Sequence, residues 1–109
     1  MSPRCGEIWW VALDPTLGSE IAKTRPCVVL SRYIVNQHRR TVVVVPLSTA
    51  SSAHPPILVA VSCGGKPAVA VVDQIRAIAK QRLRSRIGLL SEPEMEAICE
   101  ALRQILNFA

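Results

Sequence analysis

The chain of 109 residues lacks the patterns that most metal-binding and disulfide-rich proteins need. Its four cysteines lie far apart and form no Cys-x-x-Cys pair, whereas zinc sites and disulfide scaffolds use closely spaced ligands. Cys27, Cys63 and Cys99 fall in apolar segments, so we expect buried free thiols there and leave Cys5 unassigned. Only two histidines and eight acidic residues are present. Because they do not cluster, we expect no metal site and no cofactor.

Long apolar runs are also absent. The longest ones, such as 42–45 and 68–72, have the length of a strand and fall far short of the roughly 20 residues that a membrane helix needs. The segment 1–7, Met-Ser-Pro-Arg-Cys-Gly-Glu, has no apolar core after its single Arg, so a secretory signal is not expected. These features favour a cytoplasmic protein without membrane contact.

Composition and charge favour a globular protein with an anionic partner. Half of the residues are hydrophobic, which excludes disorder, and the length favours one domain over residues 1–109. Residues 1–91 contain twelve Lys/Arg and four Asp/Glu, a net +8, whereas residues 92–109 contain one Arg and four Glu, a net −3. The basic body favours nucleic acid as a partner, although surface cations often only solvate a small domain.

Short apolar segments between turn residues predict five strands. They cover residues 7–13, 27–33, 41–46, 57–63 and 68–75, with polar loops over 34–40 and 47–56 and a further short strand over 87–90. The third strand is apolar throughout, so we expect it to be buried on both faces. Pro46 cannot donate a hydrogen bond, so strand pairing should loosen there. Trp9 and Trp10 should point to opposite faces of the first strand.

The C-terminal segment predicts a helix. Ser91-Glu-Pro-Glu94 matches a capping box, and an apolar stripe follows at helical spacing through Met95, Ile98, Cys99, Leu102, Ile105 and Leu106. Because helical patterns do not alternate with the strands, the order favours a mainly β fold, a twisted antiparallel sheet or small barrel that the helix covers.

The segment 18–26 contains the residues best suited to catalysis. Glu20 is a possible proton acceptor, and Arg25 precedes Pro26, which restricts Arg25 to an extended conformation. A loop that enters a rigid strand can aim both groups at a phosphodiester. A two-histidine ribonuclease mechanism through His38 and His54 is the weaker alternative, since both lie in polar loops. Phosphate-loop and nucleophile-elbow motifs are absent from the sequence.

Six blocks in order resemble the MazF/PemK toxins. They are Gly6-Glu-Ile-Trp-Trp-Val11, Asp14-Pro-Thr-Leu-Gly-Ser-Glu20, Thr24-Arg-Pro26, Val45-Pro-Leu-Ser-Thr49, Asp73-Gln-Ile-Arg76 and Lys80-Gln-Arg-Leu83. The resemblance implies an SH3-like fold, as in MazF and CcdB, and a homodimer. It also implies a sequence-specific endoribonuclease that cuts single-stranded RNA without a metal and is neutralised by a cognate antitoxin protein.

The resemblance also implies roles for individual residues. The family's catalytic carboxylate corresponds to Glu20 and its catalytic arginine to Arg25. Its threonine corresponds to Ser48, which keeps the hydroxyl, with Thr49 as the alternative. Ile21 stands where the family usually has Gln. Asp73 and Arg76 form either an ion pair or part of the RNA surface. The candidates for RNA contact are Ser19, Lys23, Thr24, Asp73, Gln74, Arg76, Lys80 and Arg82.

These residue types match the chemistry of RNA cleavage by the ribose 2′-hydroxyl. The attack needs a base, for which Glu20 is the candidate, and a cation that stabilises the phosphorane, for which Arg25 is the candidate. Ser48 or Thr49 would donate a hydrogen bond to a phosphate oxygen. The products would be a 2′,3′-cyclic phosphate and a 5′-hydroxyl. A guanidinium is a poor proton donor, so the general acid stays unassigned.

Two other functions fit the same fold. CcdB proteins poison DNA gyrase without catalysis and end in Trp-Gly-Ile, whereas this chain ends in Asn107-Phe-Ala109. The absence of that tail and the presence of Glu20 and Arg25 count against a gyrase poison. An inactive SH3-like RNA-binding module is the third possibility.

Overall fold

The computed structural model describes residues 2–49 and 52–108. Within these ranges it contains seven strands and two α-helices, and two single-turn 3-10 helices, Val72–Gln74 and Lys80–Arg82, flank the sixth strand. The elements are β1 (Glu7–Ala12), β2 (Thr24–Val29), α1 (Tyr33–His38), β3 (Thr41–Ser48), β4 (Leu58–Cys63), β5 (Lys66–Val71), β6 (Arg76–Ala79), β7 (Leu83–Leu89) and α2 (Glu92–Leu106).

The strands form a curled antiparallel sheet in which β3 is the central element. The sheet order is β4-β5-β3-β2-β1-β7, with β6 paired to β3 alone. One edge of β3 pairs with β2, and the other edge pairs first with β6, at residues 41–44, and then with β5, at Leu47 and Ser48. Pro46 lies where β3 changes partner, because it has no N–H to donate. The prediction of a mainly β fold with a C-terminal helix is confirmed.

The buried side chains form two clusters because strand side chains alternate between faces. Along β3, Val45 and Leu47 belong to the cluster that α2 covers, whereas Val42 and Val44 belong to the other. The predicted burial of β3 on both faces is therefore confirmed. The same alternation buries Trp9, which is 5% exposed, and leaves Trp10 42% exposed.

Helix α2 begins at the predicted capping box. The Ser91 hydroxyl accepts a hydrogen bond from the Glu94 N–H (3.3 Å), and Glu94 Oε1 accepts one from the Ser91 N–H (2.9 Å). Glu94 Oε2 also accepts a hydrogen bond from the Ser62 N–H (2.6 Å). One side chain therefore both caps the helix and ties it to β4. Ile98 and Ala101 on the apolar stripe are buried.

The segment predicted as a polar loop over 34–40 contains helix α1, so that prediction was wrong. Asn36 is fully buried in it. The Asn36 Nδ2 donates hydrogen bonds to the carbonyl oxygens of Pro3 (2.8 Å) and Ser31 (2.9 Å). A buried amide needs such partners. One of them lies 33 residues away, and a local sequence pattern cannot reveal it.

Several strand boundaries also differ from the predictions. The second strand begins at Thr24 and ends at Val29, so Arg25 lies inside it, opposite Val11. The fifth strand ends at Val71 and not at residue 75. The basic run 76–86 contains β6 and most of β7, where only a short strand over 87–90 was expected. Buried Ile78 and Leu83 hold these two strands against the sheet.

The four cysteines are free thiols. Cys27 is fully buried, and burial raises the pKa of its thiol to about 12, which keeps it unreactive. Cys63 and Cys99 are half-buried, and Cys5 is exposed. Among the helices of the described ranges, none has the length and apolar character that crossing a bilayer requires.

Candidate functional site

The four predicted catalytic residues line one cavity. It has a volume of about 290 Å³ and lies where the loop between β1 and β2 meets the end of β3. The sheet brings together segments more than 20 residues apart, because β2 pairs with β3 from Cys27 to Val29. The lining residues are Glu20, Ile21, Ala22, Arg25, Leu47, Ser48 and Thr49.

Arg25 presents its guanidinium from the second position of β2. Its backbone is fixed by pairing with Val11, and its Nε donates a hydrogen bond to the Ala22 carbonyl (3.3 Å). Within the described part of the chain, neither Nη group has a hydrogen-bond or ion-pair partner. The outer edge of the guanidinium is therefore available to an anion, and the Nε contact restricts its orientation.

Glu20 lies in the β1–β2 loop and holds that loop in shape. Its N–H donates to the Leu17 carbonyl (3.2 Å), and its Oε1 accepts a hydrogen bond from the Leu17 N–H (2.6 Å). Its Oε2 makes no hydrogen bond to any residue that the structure describes. One carboxylate oxygen thus fixes the side chain, while the other is available to accept a proton.

The two candidate hydroxyls differ in how firmly they are held. Ser48 is the last residue of β3, pairs with Val69 of β5 and is half-buried. Thr49 follows the strand and is exposed. Both line the cavity, so the structure places two hydroxyl groups beside Arg25 and Glu20.

A second cavity of about 210 Å³ adjoins the first and shares Glu20 and Ile21 with it. Gln74 lines it, and Gln74 Oε1 accepts a hydrogen bond from the Ile21 N–H (2.8 Å). Gln74 was predicted to contact RNA. In the structure its carbonyl oxygen holds the β1–β2 loop next to Glu20, and its contact with RNA stays a prediction.

Asp73 and Arg76 also line the second cavity. The ion pair that was one of their two predicted roles does not form. The ion pairs among the described residues join Arg86 to Glu7 and Arg103 to Glu96 and Glu100. Both residues therefore line the cavity next to the candidate catalytic residues without pairing to each other. RNA contact is their remaining predicted role.

Two other predicted RNA contacts have structural roles. The Arg82 Nη1 donates hydrogen bonds to the carbonyls of Ala12 (3.0 Å) and Asp14, where the β1–β2 loop begins. The Lys80 ammonium donates to the Asn36 carbonyl in α1. Together with Gln74, Arg82 anchors the loop at both ends. These bonds join residues more than 40 positions apart, so no local sequence pattern indicates them.

The remaining predicted RNA contacts, Ser19, Lys23 and Thr24, are exposed and line neither cavity. Lys23 has a positive φ of 67°, and its carbonyl accepts a hydrogen bond from the Leu13 N–H (2.8 Å). This hydrogen bond closes the base of the loop, and RNA contact by the three residues stays a prediction.

Sequence reasoning missed the apolar wall of the site. Ile21, Pro46 and Ile75 line the second cavity, and apolar side chains in a strand pattern gave no functional signal. Within residues 2–49 and 52–108, no three His, Cys, Asp or Glu side chains group as a metal site requires.

The chain is similar to known proteins over most of its length. It is 36% identical over 97 residues to the endoribonuclease toxin MazF of Escherichia coli (strain K12), an alignment that covers 88% of this chain and 86% of that protein. It is 38% identical over 113 residues to the endoribonuclease MazF9 of Mycobacterium tuberculosis (strain ATCC 25618 / H37Rv), covering 95% and 96% of the two chains.

Solved structures share the fold. The crystal structure of MazF (Form-I) from Deinococcus radiodurans matches with a TM-score of 0.89 at 20% identity and covers 99% of both chains. An endoribonuclease in complex with its cognate antitoxin, from a mycobacterial species, matches with a TM-score of 0.81 at 24% identity and covers 99% of this chain and 98% of that one.

The family model that matches describes a PemK-like, MazF-like toxin of type II toxin–antitoxin systems, and it covers residues 4–106. A match over nearly the whole chain, together with relatives at 36% and 38% identity, establishes the resemblance that the six sequence blocks predicted. The chain belongs to the PemK-like, MazF-like family of type II toxin–antitoxin toxins.

Proposed function

We propose that the chain is an endoribonuclease toxin that cleaves single-stranded mRNA at specific sequences without a metal ion. The observation that carries this proposal is the single cavity lined by Glu20, Arg25, Ser48 and Thr49. A carboxylate, a guanidinium and a hydroxyl at one point are the groups that the attack of a 2′-hydroxyl on a phosphodiester needs. The endoribonuclease relatives at 36% and 38% identity support the same activity.

The cleavage step uses the carboxylate, the guanidinium and a hydroxyl of the cavity. Glu20 Oε2 accepts the proton of the ribose 2′-hydroxyl as the 2′ oxygen forms a bond to phosphorus. The free N–H groups of Arg25 donate to the non-bridging oxygens and stabilise the added negative charge of the phosphorane. Ser48 or Thr49 donates a further hydrogen bond. The bond from phosphorus to the 5′ oxygen then breaks, and that oxygen takes up a proton from a donor that is not assigned to a side chain.

Purified protein incubated with a long RNA in excess EDTA tests the activity. We expect cleavage at few sites, because the proposed reaction uses side chains alone. Intact RNA in both EDTA and Mg²⁺ would exclude the endoribonuclease, and cleavage that requires Mg²⁺ would exclude the metal-free mechanism. The new 5′ ends should accept phosphate from polynucleotide kinase without prior dephosphorylation, as 5′-hydroxyls do.

The same proposal includes a cognate antitoxin, a homodimer and a cytoplasmic location. The family is that of type II toxin–antitoxin toxins, and the basic body of this chain favours an acidic, partly disordered antitoxin segment as the inhibitor. Light scattering should give about twice the chain mass of 11.9 kDa. A monomer at micromolar concentration would contradict the homodimer.

A further inference from the structure

A third cavity, separate from the candidate catalytic site, is lined by basic and amide side chains. It has a volume of about 420 Å³ and lies between the end of α1 and the 3-10 helix that follows β6. None of the described residues that line it is acidic, and none of them forms an ion pair. We call it the basic cavity; its lining residues are Gln37, His38, Arg39, Arg40, Lys80 and Gln81.

Backbone hydrogen bonds hold the walls of the basic cavity in place. The Arg39 N–H donates to the Val35 carbonyl (3.0 Å), and the Lys80 N–H donates to the Arg40 carbonyl (2.9 Å). The Lys80 ammonium also donates to the Asn36 carbonyl. Because the last carbonyls of a helix carry partial negative charge, this contact reduces the repulsion that an anion would meet at the end of α1. The backbone that carries these cations is therefore held in place.

Strand β6 connects the basic cavity to the candidate catalytic site. Arg76, its first residue, lines the cavity that adjoins Glu20, and Lys80 follows its last residue. At about 3.3 Å per residue, these two cations are separated by about 13 Å along the strand. In the described part of the sheet β6 pairs with β3 alone, so its other edge is unpaired.

We propose that the basic cavity binds a backbone phosphate of the RNA on one side of the cleavage site, so that the strand runs along β6 from Arg76 to Lys80. The choice of RNA as the ligand rests on the proposed function. Grooves for single strands commonly hold about 4 to 16 nucleotides, so a contact about 13 Å beyond the cleavage site lies within one binding site. An acidic peptide would bind the same cations. Its binding would not require that the basic cavity be connected to the catalytic cavity along β6.

The test compares binding of a long and a short RNA that cannot be cleaved. The probes are fluorescein-labelled 2′-O-methyl uridine oligomers of 20 and 2 nucleotides, of which the shorter cannot span about 13 Å, measured by fluorescence anisotropy. The double variant Arg39→Ala/Arg40→Ala should weaken binding of the 20-mer about tenfold and change that of the dinucleotide less than twofold. The matched control Lys66→Ala/Arg103→Ala removes the same charge at the β4–β5 turn and on α2, and should change both affinities less than twofold.

Two further measurements keep the result specific. Arg39→Lys/Arg40→Lys keeps the charge and should retain affinity for the 20-mer within about threefold. Thermal unfolding of each variant should match the parent, because both arginines are exposed. An equal loss for the alanine variant and its control, or no loss for the 20-mer, would overturn the proposal. Loss of binding to a poly-glutamate peptide with unchanged 20-mer binding would overturn it in favour of an acidic protein partner.

Binding and cleavage separate this proposal from the proposed function. Anisotropy with uncleavable RNA needs no catalysis, so a protein that shows the expected binding pattern but leaves all RNA intact contradicts only the endoribonuclease. A protein that cleaves RNA, but whose Arg39→Ala/Arg40→Ala variant binds the 20-mer as the parent does, contradicts only the basic cavity.

Discussion

At the scale of single residues, Glu20 and Arg25 are each held by one local contact, and within residues 2–49 and 52–108 no partner occupies the atoms that we propose to react. Glu20 uses Oε1 to hold the Leu17 N–H, and Arg25 uses Nε to hold the Ala22 carbonyl. Such contacts restrict a side chain to few orientations, which reduces the entropy that the reaction would otherwise lose. Both residues are exposed, so their replacement removes chemistry with little loss of packing.

The change Arg25→Ala should reduce kcat/KM for RNA cleavage by at least about a hundredfold, because loss of one group that stabilises transition-state charge commonly costs about 10²- to 10³-fold. Arg25→Lys should recover part of the loss, since it keeps the charge but not the planar fork. Cleavage of a labelled transcript measures both. Arg103→Ala, which removes a cation from α2, is the matched control and should cleave like the parent. An active Arg25→Ala protein would remove Arg25 from the mechanism.

At the scale of elements, the β1–β2 loop is positioned by side chains from the other half of the chain. Arg82 holds its start through the Ala12 and Asp14 carbonyls, and Gln74 holds its end through the Ile21 N–H. Because Ile21 follows Glu20 directly, the Gln74 contact controls the position of the proposed base. Gln74 is therefore a positioning residue.

The change Gln74→Ala should lower kcat by about tenfold or more, because displacement of a catalytic group by about 1 Å can cost as much as a hundredfold. The KM for RNA should change less. A loosened loop should also be cut faster by trypsin after Lys23, which a loss of RNA contact alone would not cause. Gln104→Ala on the exposed face of α2 is the control. Unchanged kcat and unchanged trypsin sensitivity together would show that the Ile21 contact has no positioning role.

Helix α2 is joined to β4 through Glu94. Burial tends to raise the pKa of this carboxyl, but hydrogen bonds from the Ser91 N–H and hydroxyl and from the Ser62 N–H outweigh it and lower the pKa below its ordinary value. A carboxyl with a lower pKa in the folded state stabilises the fold above its unfolded pKa of about 4.3. This contribution is lost as the pH falls through the folded-state pKa.

The change Glu94→Gln should therefore lower the free energy of unfolding by about 1 kcal/mol at pH 7, the typical difference between charged and neutral hydrogen bonds. The difference from the parent should shrink as the pH falls below about 4, because the parent's carboxyl is then protonated as well. Urea denaturation at several pH values measures this. Glu92→Gln, at an exposed carboxylate of the same turn, should show a smaller difference; a Glu94→Gln effect that stays constant with pH would contradict the argument.

At the scale of the whole molecule, charge is divided between two regions. Residues 1–91 contain the sheet and a net +8, and residues 92–109 contain α2 and a net −3. Both cavities next to Glu20 and the basic cavity are lined by residues of the sheet region. The positive electrostatic field of the sheet region attracts an anionic chain to the sheet and away from the negatively charged helix.

RNA affinity should consequently fall steeply with salt. Each neutralised phosphate of a single strand contributes a slope of about −0.7 to the plot of log K against log salt concentration. Contacts at Arg25, Arg76 and the basic cavity would neutralise about three phosphates and give a slope near −2. Titrations of the 20-nucleotide probe from low to high salt measure the slope. A flat response would contradict an electrostatic RNA surface.

The sequence alone determined the features that depend on neighbouring residues. Short apolar segments between turn residues predicted the strands, and the opposite exposure of Trp9 and Trp10 confirms the alternation predicted for the first strand. The capping box at Ser91 and the stripe of apolar residues predicted α2, which begins at Glu92. The ordered blocks also indicated the family. Each of these patterns lies within a short segment. In such a segment, the separation of two residues along the chain determines their separation in the folded helix or strand.

Only the tertiary structure decided which side chains work together. Asn36 in helix α1 bonds to the Pro3 carbonyl, and the β1–β2 loop is held by Gln74 and Arg82, which lie more than 50 positions further along the chain. The sequence assigned Gln74 and Arg82 to RNA because their polarity was visible and their partners were not. Bonds between residues 33 to 70 positions apart form only after strand pairing has fixed the sheet, so no local pattern contains them.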